Sequence, residues 1–359
     1  MNGRFFRNGF GSGMLPVRIG LAAAAILWTS VAVGRPAEYL DRDAAWYRSD
    51  EAERVAANVL SWQSPLGGWP KNLDTAEDEY TGDPSELQPT FDNRATVDEL
   101  RFLARMFAVT GRDEYKEAFV RGLDYIFEAQ YPNGGWPQRQ PPGNSYAKYI
   151  TFNDNAMVRL MELVREVAES DVYAFLDAPR RTAAREAFDA GIACILKCQV
   201  EVDGRLTVWC AQHDERDFRP RKARAYELVS LSGSESAGIV ELLMSLDEPS
   251  PDVIRAVEAA VEWFDAAKIE GIRIERRRDA DSPRRFDKVV VEDSSAPPLW
   301  ARFYDIETNQ PIFCDRDGVP KDNLHEIGVE RRTGYAWYGR WPRELLEEYP
   351  KWRARWGSQ

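Results

Sequence analysis

Apolar residues recur every three or four positions through most of the chain beyond residue 40. Val97, Leu100, Leu103, Met106 and Phe107 fall on one helical face. That helix opens at Thr96-Val97-Asp98-Glu99, the pattern of a capping box, and closes near Gly111. Tyr115, Ala118, Phe119, Gly122 and Ile126 mark a second amphipathic helix, and Met157, Leu160, Met161, Val164 and Val167 a third. Ile239, Leu242, Leu243 and Leu246 mark a fourth. No long alternation of apolar and polar positions announces a strand, so the pattern predicts an all-α fold.

A repeat organises these helices. Gln63-Ser64-Pro65-Leu66-Gly67-Gly68-Trp69-Pro70 returns as Gln130-Tyr131-Pro132-Asn133-Gly134-Gly135-Trp136-Pro137, and a degenerate copy runs from Gln199 through Gly204 to Trp209. Each copy is followed by a loop and a new helix start: Thr90-Phe91-Asp92-Asn93, Thr151-Phe152-Asn153-Asp154-Asn155, and Ser232-Gly233-Ser234-Glu235-Ser236. Units of this kind bury their apolar faces only by stacking on neighbours. A ring of helical hairpins, an (α/α) toroid with long irregular loops at one end, meets that need. In such a ring Asp92, Asp154 and the Ser234 region converge. The glycines serve the turns, and the tryptophans read as wedges between hairpins whose N–H groups find carbonyls.

Arg4, Arg7 and Arg18 precede an apolar run from 19 to 33, and small residues Ala32 and Gly34 close it. Positive flank, short apolar stretch and small exit predict a signal peptide over 1–34. An uncleaved anchor is the alternative, although about 15 apolar residues fall short of the ~20 that span a bilayer. The expectation is a secreted or periplasmic protein, free of the membrane after cleavage, with 35–359 as a single catalytic domain. Export permits disulfides, so Cys194, Cys198, Cys210 and Cys314 are either paired or plain buried thiols.

Among 359 residues, 59 acids against 47 Lys and Arg give a net charge of −12. That excludes a general nucleic-acid binder. His213 and His325 are the only histidines, which argues against multi-histidine metal sites and most histidine-based triads. A polyanionic substrate would have to meet a local basic cluster or a bridging cation. Asp and Asn before a helix commonly cap it. Two such pairs brought to one end of a toroid also make an oxygen-rich set of the kind calcium takes. Arg221, Lys222, Arg224, Arg331 and Arg332 lie among Tyr, Trp and Gly in end loops, where arginine forks suit carboxylates.

These motifs together resemble the family 10 pectate lyases: Gly-Gly-Trp-Pro, Thr-Phe-Asp-Asn, Ile-Thr-Phe-Asn-Asp-Asn-Ala-Met, Ala-Arg-Ala-Tyr-Glu, Ser-Leu-Ser-Gly-Ser-Glu-Ser and Glu-Arg-Arg-Thr-Gly-Tyr, in order from about residue 60 to 345. The resemblance implies a mostly helical toroid-like fold and calcium-dependent β-elimination of α-1,4-polygalacturonate, leaving 4,5-unsaturated oligogalacturonides. It implies that Asp92, Asn93 and Asp154 surround a Ca2+ shared with a substrate carboxylate. Lys148, Arg224, Tyr226 and Asp92 would contact substrate. An arginine of the Arg331-Arg332 pair would remove the proton, with Arg332 preferred. The partner is pectate polysaccharide, and the protein is expected to act as a monomer. The tracts at 216–224 and 275–285 find no place in the resemblance. An inverting glycoside hydrolase using two of Asp92, Asp154 and Glu235 is the main alternative. A terpenoid cyclase-like ring and a non-catalytic carbohydrate-binding toroid are also open.

Overall fold

Three glutamines and four tryptophans hold the helices in register. The computed structural model describes residues 35–357; the expected leader at 1–34 lies outside them. Gln63 donates through its amide to the carbonyls of Gly67 (2.7 Å) and Ala118 (2.8 Å), so one helical hairpin is tied to the next. Gln130 does the same to Gly134 and Ala187, and Gln199 to Thr207 and Ala256. The indole N–H groups of Trp69, Trp136 and Trp209 donate to Val59, Ile126 and Ile195. All three rings are fully buried. Trp300 repeats the arrangement on Phe264, a fourth copy that lacks the Gly-Gly-Trp spelling. Gly67 and Gly134 cannot be replaced cheaply. Both have positive φ (104° and 91°), and an added Cβ would lie 2.3 Å from the Arg121 carbonyl oxygen or 2.0 Å from that of Ala190.

The helices are α1 (Asp50–Ser61), α2 (Val97–Thr110), α3 (Asp113–Ala129), α4 (Ala156–Glu169), α5 (Ala178–Cys198), α6 (Glu235–Met244), α7 (Pro251–Ala267), α8 (Val329–Gly334) and α9 (Arg343–Trp356). Helices α2, α4 and α6 are successive neighbours, as are α3, α5 and α7, and the two rows pack through the pairs α2–α3, α4–α5 and α6–α7. Burying both rows along one shared apolar seam is what the helical periodicity encodes. All four cysteines are buried free thiols.

The expected all-α toroid is not what the chain forms. Twelve strands in six two-stranded antiparallel pairs accompany the helices among the described residues. Ten of them are two residues long, too short for any alternation to be visible in the sequence. The other two form a seven-residue hairpin, Ile272–Arg278 paired with Phe286–Glu292. Its outer half is arginine on one strand, which hides the β pattern. A second, smaller apolar core around Tyr226, Phe303, Phe313, Leu324 and Trp337 supports this non-helical part.

The capping box also fails to form. Thr96 adopts φ 72° and turns its hydroxyl to the loop, accepting from the Trp69 backbone N–H (3.0 Å) and donating to the Thr90 carbonyl (2.9 Å). Glu99 accepts instead from the Thr75 hydroxyl at 2.9 Å and is buried. That burial pushes its carboxyl up to about 7.

Candidate active site

The loops before α2 and α4 share a backbone course. Phe91 and Phe152 are fully buried, and the next residues, Asp92 and Asn153, are buried beneath the loop. Asn93 (φ 53°) and Asp154 (φ 52°) then take the left-handed conformation that Asn and Asp tolerate. Both line one cleft of about 290 Å³, which Ser234, Glu235 and Arg302 also line. The three segments expected to converge therefore meet, and the backbone N–H of Asp154 donates to Glu235.

Each acid has a different setting. Asp92 receives Lys71 and the Gln138 amide (3.0 Å) on one oxygen, while its other oxygen is buried without a hydrogen-bond partner. Asn93 donates to the Asn72 side chain at 2.8 Å, and its carbonyl accepts from Arg35 at 3.1 Å. Asp154 accepts from Arg302 (2.8 Å) on one oxygen and from the Asn153 amide (2.7 Å) on the other. Burial works to raise the Asp154 carboxyl pKa, but the charge and hydrogen bond of Arg302, then the charge of Arg224, leave it lowered.

Arg302 is the main residue the sequence reading missed. Nearly buried, it bonds Asp154 and Glu235 through one nitrogen and stands 4.7 Å from the Tyr335 ring centroid. It lies two residues after Trp300, so recognising the fourth copy of the turn would have exposed it. Since Asp154 and Glu235 touch the same guanidinium nitrogen, they sit closer together than the ~6.5–9.5 Å of an inverting carboxylate pair. The hydrolase alternative loses that pair.

The arginines divide into two groups. Tyr226 is buried between Arg224 and Arg331, whose guanidinium carbons lie 5.0 Å and 4.4 Å from its ring centroid. Arg224 forks onto Glu227, which also accepts from the Tyr335 hydroxyl at 2.9 Å. Burial opposes its charge, yet the Glu227 hydrogen bond and charge leave the Arg224 pKa raised. Arg331 forks onto Glu330 at 3.0 and 2.7 Å, and this hydrogen bond, followed by the one from Arg316, pulls the Glu330 carboxyl down to about 2. Arg332 turns elsewhere. It forks onto Asp287 of the long hairpin (2.7 and 2.6 Å), and its remaining terminal nitrogen donates to the His325 and Ile327 carbonyls. Lys148 pairs with Glu215 at 3.1 Å. The structure thus brings Arg224, Tyr226 and Arg331 together and keeps Arg332 on another partner.

No three His, Cys, Asp or Glu side chains gather as a metal group among the described residues. A cation here would take its protein oxygens from Asp92, Asn93 and Asp154. The unpartnered buried oxygen of Asp92 beside the two cleft-lining residues fits a hard cation, because a carboxylate oxygen is seldom left without a partner.

The family model for pectic acid lyase matches residues 63–346. The family 10 polysaccharide lyase of Cellvibrio cellulosa is 34% identical, with a TM-score of 0.76 over 90% of this chain and 98% of that one. A mutant of a family 10 polysaccharide lyase from the same organism, in complex with trigalacturonic acid, is 33% identical, with a TM-score of 0.76 over 88% of this chain and 98% of that one. No curated protein matches the chain. On the match across most of its length, the chain belongs to the pectic acid lyase family and is a polysaccharide lyase.

Proposed function

We propose that this lyase cleaves α-1,4-polygalacturonate by calcium-dependent β-elimination with an arginine base, releasing 4,5-unsaturated oligogalacturonides. It would act as a monomer, secreted or periplasmic after loss of residues 1–34. The observation that carries this reading is the cleft itself. Asn93 and Asp154 project into it from equivalent positions, and Arg224 lies near enough to lower the Asp154 pKa. The relative in complex with trigalacturonic acid supports a galacturonan as the polysaccharide.

The C5 proton of a uronate is α to its carboxylate, so removing it builds charge on a group already anionic. Calcium held by Asp92, Asn93 and Asp154 would supply Lewis-acid polarisation of that carboxylate. Arg302 holds the Asp154 carboxylate toward the cleft and keeps it ionised. Lys148 and Arg224 offer cations to successive uronates, and the buried Tyr226 ring holds Arg224 in place.

Arg224, expected only to bind substrate, is better placed for the base than either Arg331 or Arg332. Its side chain is 41% exposed, against 8% for Arg331 and 12% for Arg332. Arg332 spends its donors on Asp287 and two carbonyls, and Arg331 supports the Tyr226 ring. Arg224 would take the C5 proton, the C5–H electrons would form the C4–C5 double bond, and the C4–O bond would break. Water protonates the departing glycosidic oxygen. An arginine held protonated by Glu227 makes a poor base near neutrality, so turnover should climb with pH through the alkaline range.

The test is ultraviolet absorbance of the unsaturated ends while residues 35–359 act on polygalacturonate, first with calcium and then with chelator. A rise that needs calcium supports the reading. New reducing ends without absorbance would contradict it.

A further inference from the structure

The long hairpin carries Arg276, Arg277, Arg278, Arg284 and Arg285, a concentration of positive charge at odds with a chain of net charge −12. The other arginine-rich tract neutralises itself: Arg216, Arg219, Arg221 and Arg224 pair with Glu215, Asp217, Asp214 and Glu227. The hairpin does not. Its ion pairs join Arg273 and Arg277 to Glu275, Arg273 to Asp293, and Asp287 to Arg332. Among the described residues, Arg276, Arg278, Arg284 and Arg285 are in none of the ion pairs, and all four are exposed. Of the acids nearest the tip, Asp279 accepts from the backbone N–H of Asp281.

These cations are not scattered. Arg276 lies directly opposite Lys288 in the ladder. Burial, then the charges of Arg276 and Arg284, hold the Lys288 pKa below its ordinary value, so both guanidiniums lie near enough to act on it. Lys288 donates to the Tyr335 carbonyl at 2.8 Å, which fixes the hairpin to the segment after α8. A Cβ at Gly334 would lie 3.0 Å from a terminal nitrogen of Arg331 and 3.9 Å from one of Arg284. The two guanidiniums therefore flank that glycine. A row of cations runs outward from the Tyr226 cluster: Arg331, Arg284, Lys288, Arg276.

Arg331 is neutralised by Glu330, but leaving Arg284, Lys288 and Arg276 beyond it without an acid costs self-repulsion, and an acidic chain has acids to spare for quenching it. Regularly spaced carboxylates on a ligand would quench it through charge-assisted bonds. We infer that this row is an outer subsite for the carboxylates of a uronan chain, continuing the path that begins between Asp154 and Arg224. This inference rests on the pectate reading of the cleft.

The test is the double variant Arg276→Ala/Arg284→Ala, with Arg255→Ala on α7 as a control for plain loss of surface charge. Turnover is measured on polygalacturonate and on trigalacturonate, after circular dichroism shows the helices intact. The expected result is a KM for the polymer raised about tenfold at low salt, with kcat, the trimer kinetics and the control unchanged. A polymer KM within about twofold of wild type, an equal loss on the trimer, or an equal loss in the control would each overturn the subsite. If the wild-type enzyme cleaves neither substrate, the pectate reading fails, and retardation in gels containing polygalacturonate still decides the row. Equal migration of wild type and double variant in those gels would overturn it, whereas slower migration of wild type alone would uphold it.

Discussion

The loops at 90–96 and 151–157 are near copies in which acid and amide have changed places. In the first, Asp92 is buried under the loop and Asn93 reaches the cleft; in the second, Asn153 is buried and Asp154 reaches it. The backbone assigns the roles. Whichever residue takes the left-handed position faces the cleft, and its predecessor becomes the floor. One carboxylate thus supports the site from below, tied to Lys71 and Gln138, while the other meets whatever enters. Oxygen chemistry alone treats Asp92 and Asp154 as equals, and their positions separate them.

The comparison breaks hardest at Asp154. Asp154→Ala should cut turnover at least about 100-fold, a loss of the size seen when metal sites lose essential support, while the helical circular dichroism signal stays intact. Saturating calcium kinetics of the variant check this. Asp92→Ala is expected to impair activity too, but with a cost in stability of about 1–3 kcal/mol, because it strips the floor of the acceptor for Lys71 and Gln138. Denaturant melts separate the two variants. Arg224→Lys should lose most turnover and retain substrate binding, whereas Arg332→Lys should lose less and act mainly by loosening the hairpin through Asp287. Near-normal turnover in Arg224→Lys, with a large loss in Arg332→Lys, would reverse the assignment.

The smallest effect concerns stability rather than catalysis. Burial pushes the Glu99 carboxyl up from the ordinary carboxylate range to about 7, so the folded state holds the proton more tightly. Its contribution is complete below pH 4.5 and is lost as pH rises through 7, a change on the order of 3 kcal/mol. His213 works the other way. Burial lowers its pKa to about 4, so its contribution is present above pH 6.5 and is lost as pH falls toward 4. The two offset each other in wild type. Glu99→Gln should unmask the histidine, giving stability that rises steadily from pH 4.5 to 6.5. A melting profile unchanged from wild type would remove Glu99 from this balance.

The helical rows were legible because the Gln…Gly-Gly-Trp turn is spelled out, and each residue in it has a geometric duty. The fourth turn was not, since Trp300 keeps the indole bond without the glycines, and Arg302 went unseen with it. Two-residue strands leave no alternation to read, which is why an all-α toroid was expected where paired strands also form. The capping box at Thr96 was misleading for a different reason. A distant partner, the Trp69 N–H, took the hydroxyl that local pattern assigned to the helix end. The partner of Arg332 was equally hidden, since Asp287 lies 45 positions away in sequence and no local pattern announces it.

The central claim is that Asp154 joins calcium and substrate in one cleft. Calorimetric titration of trigalacturonate into wild type and Asp154→Ala, with and without calcium, tests it without relying on turnover. The account predicts that calcium and the trimer each tighten the other's binding in wild type, and that this reciprocal coupling vanishes in Asp154→Ala. Coupling that survives the substitution would contradict it.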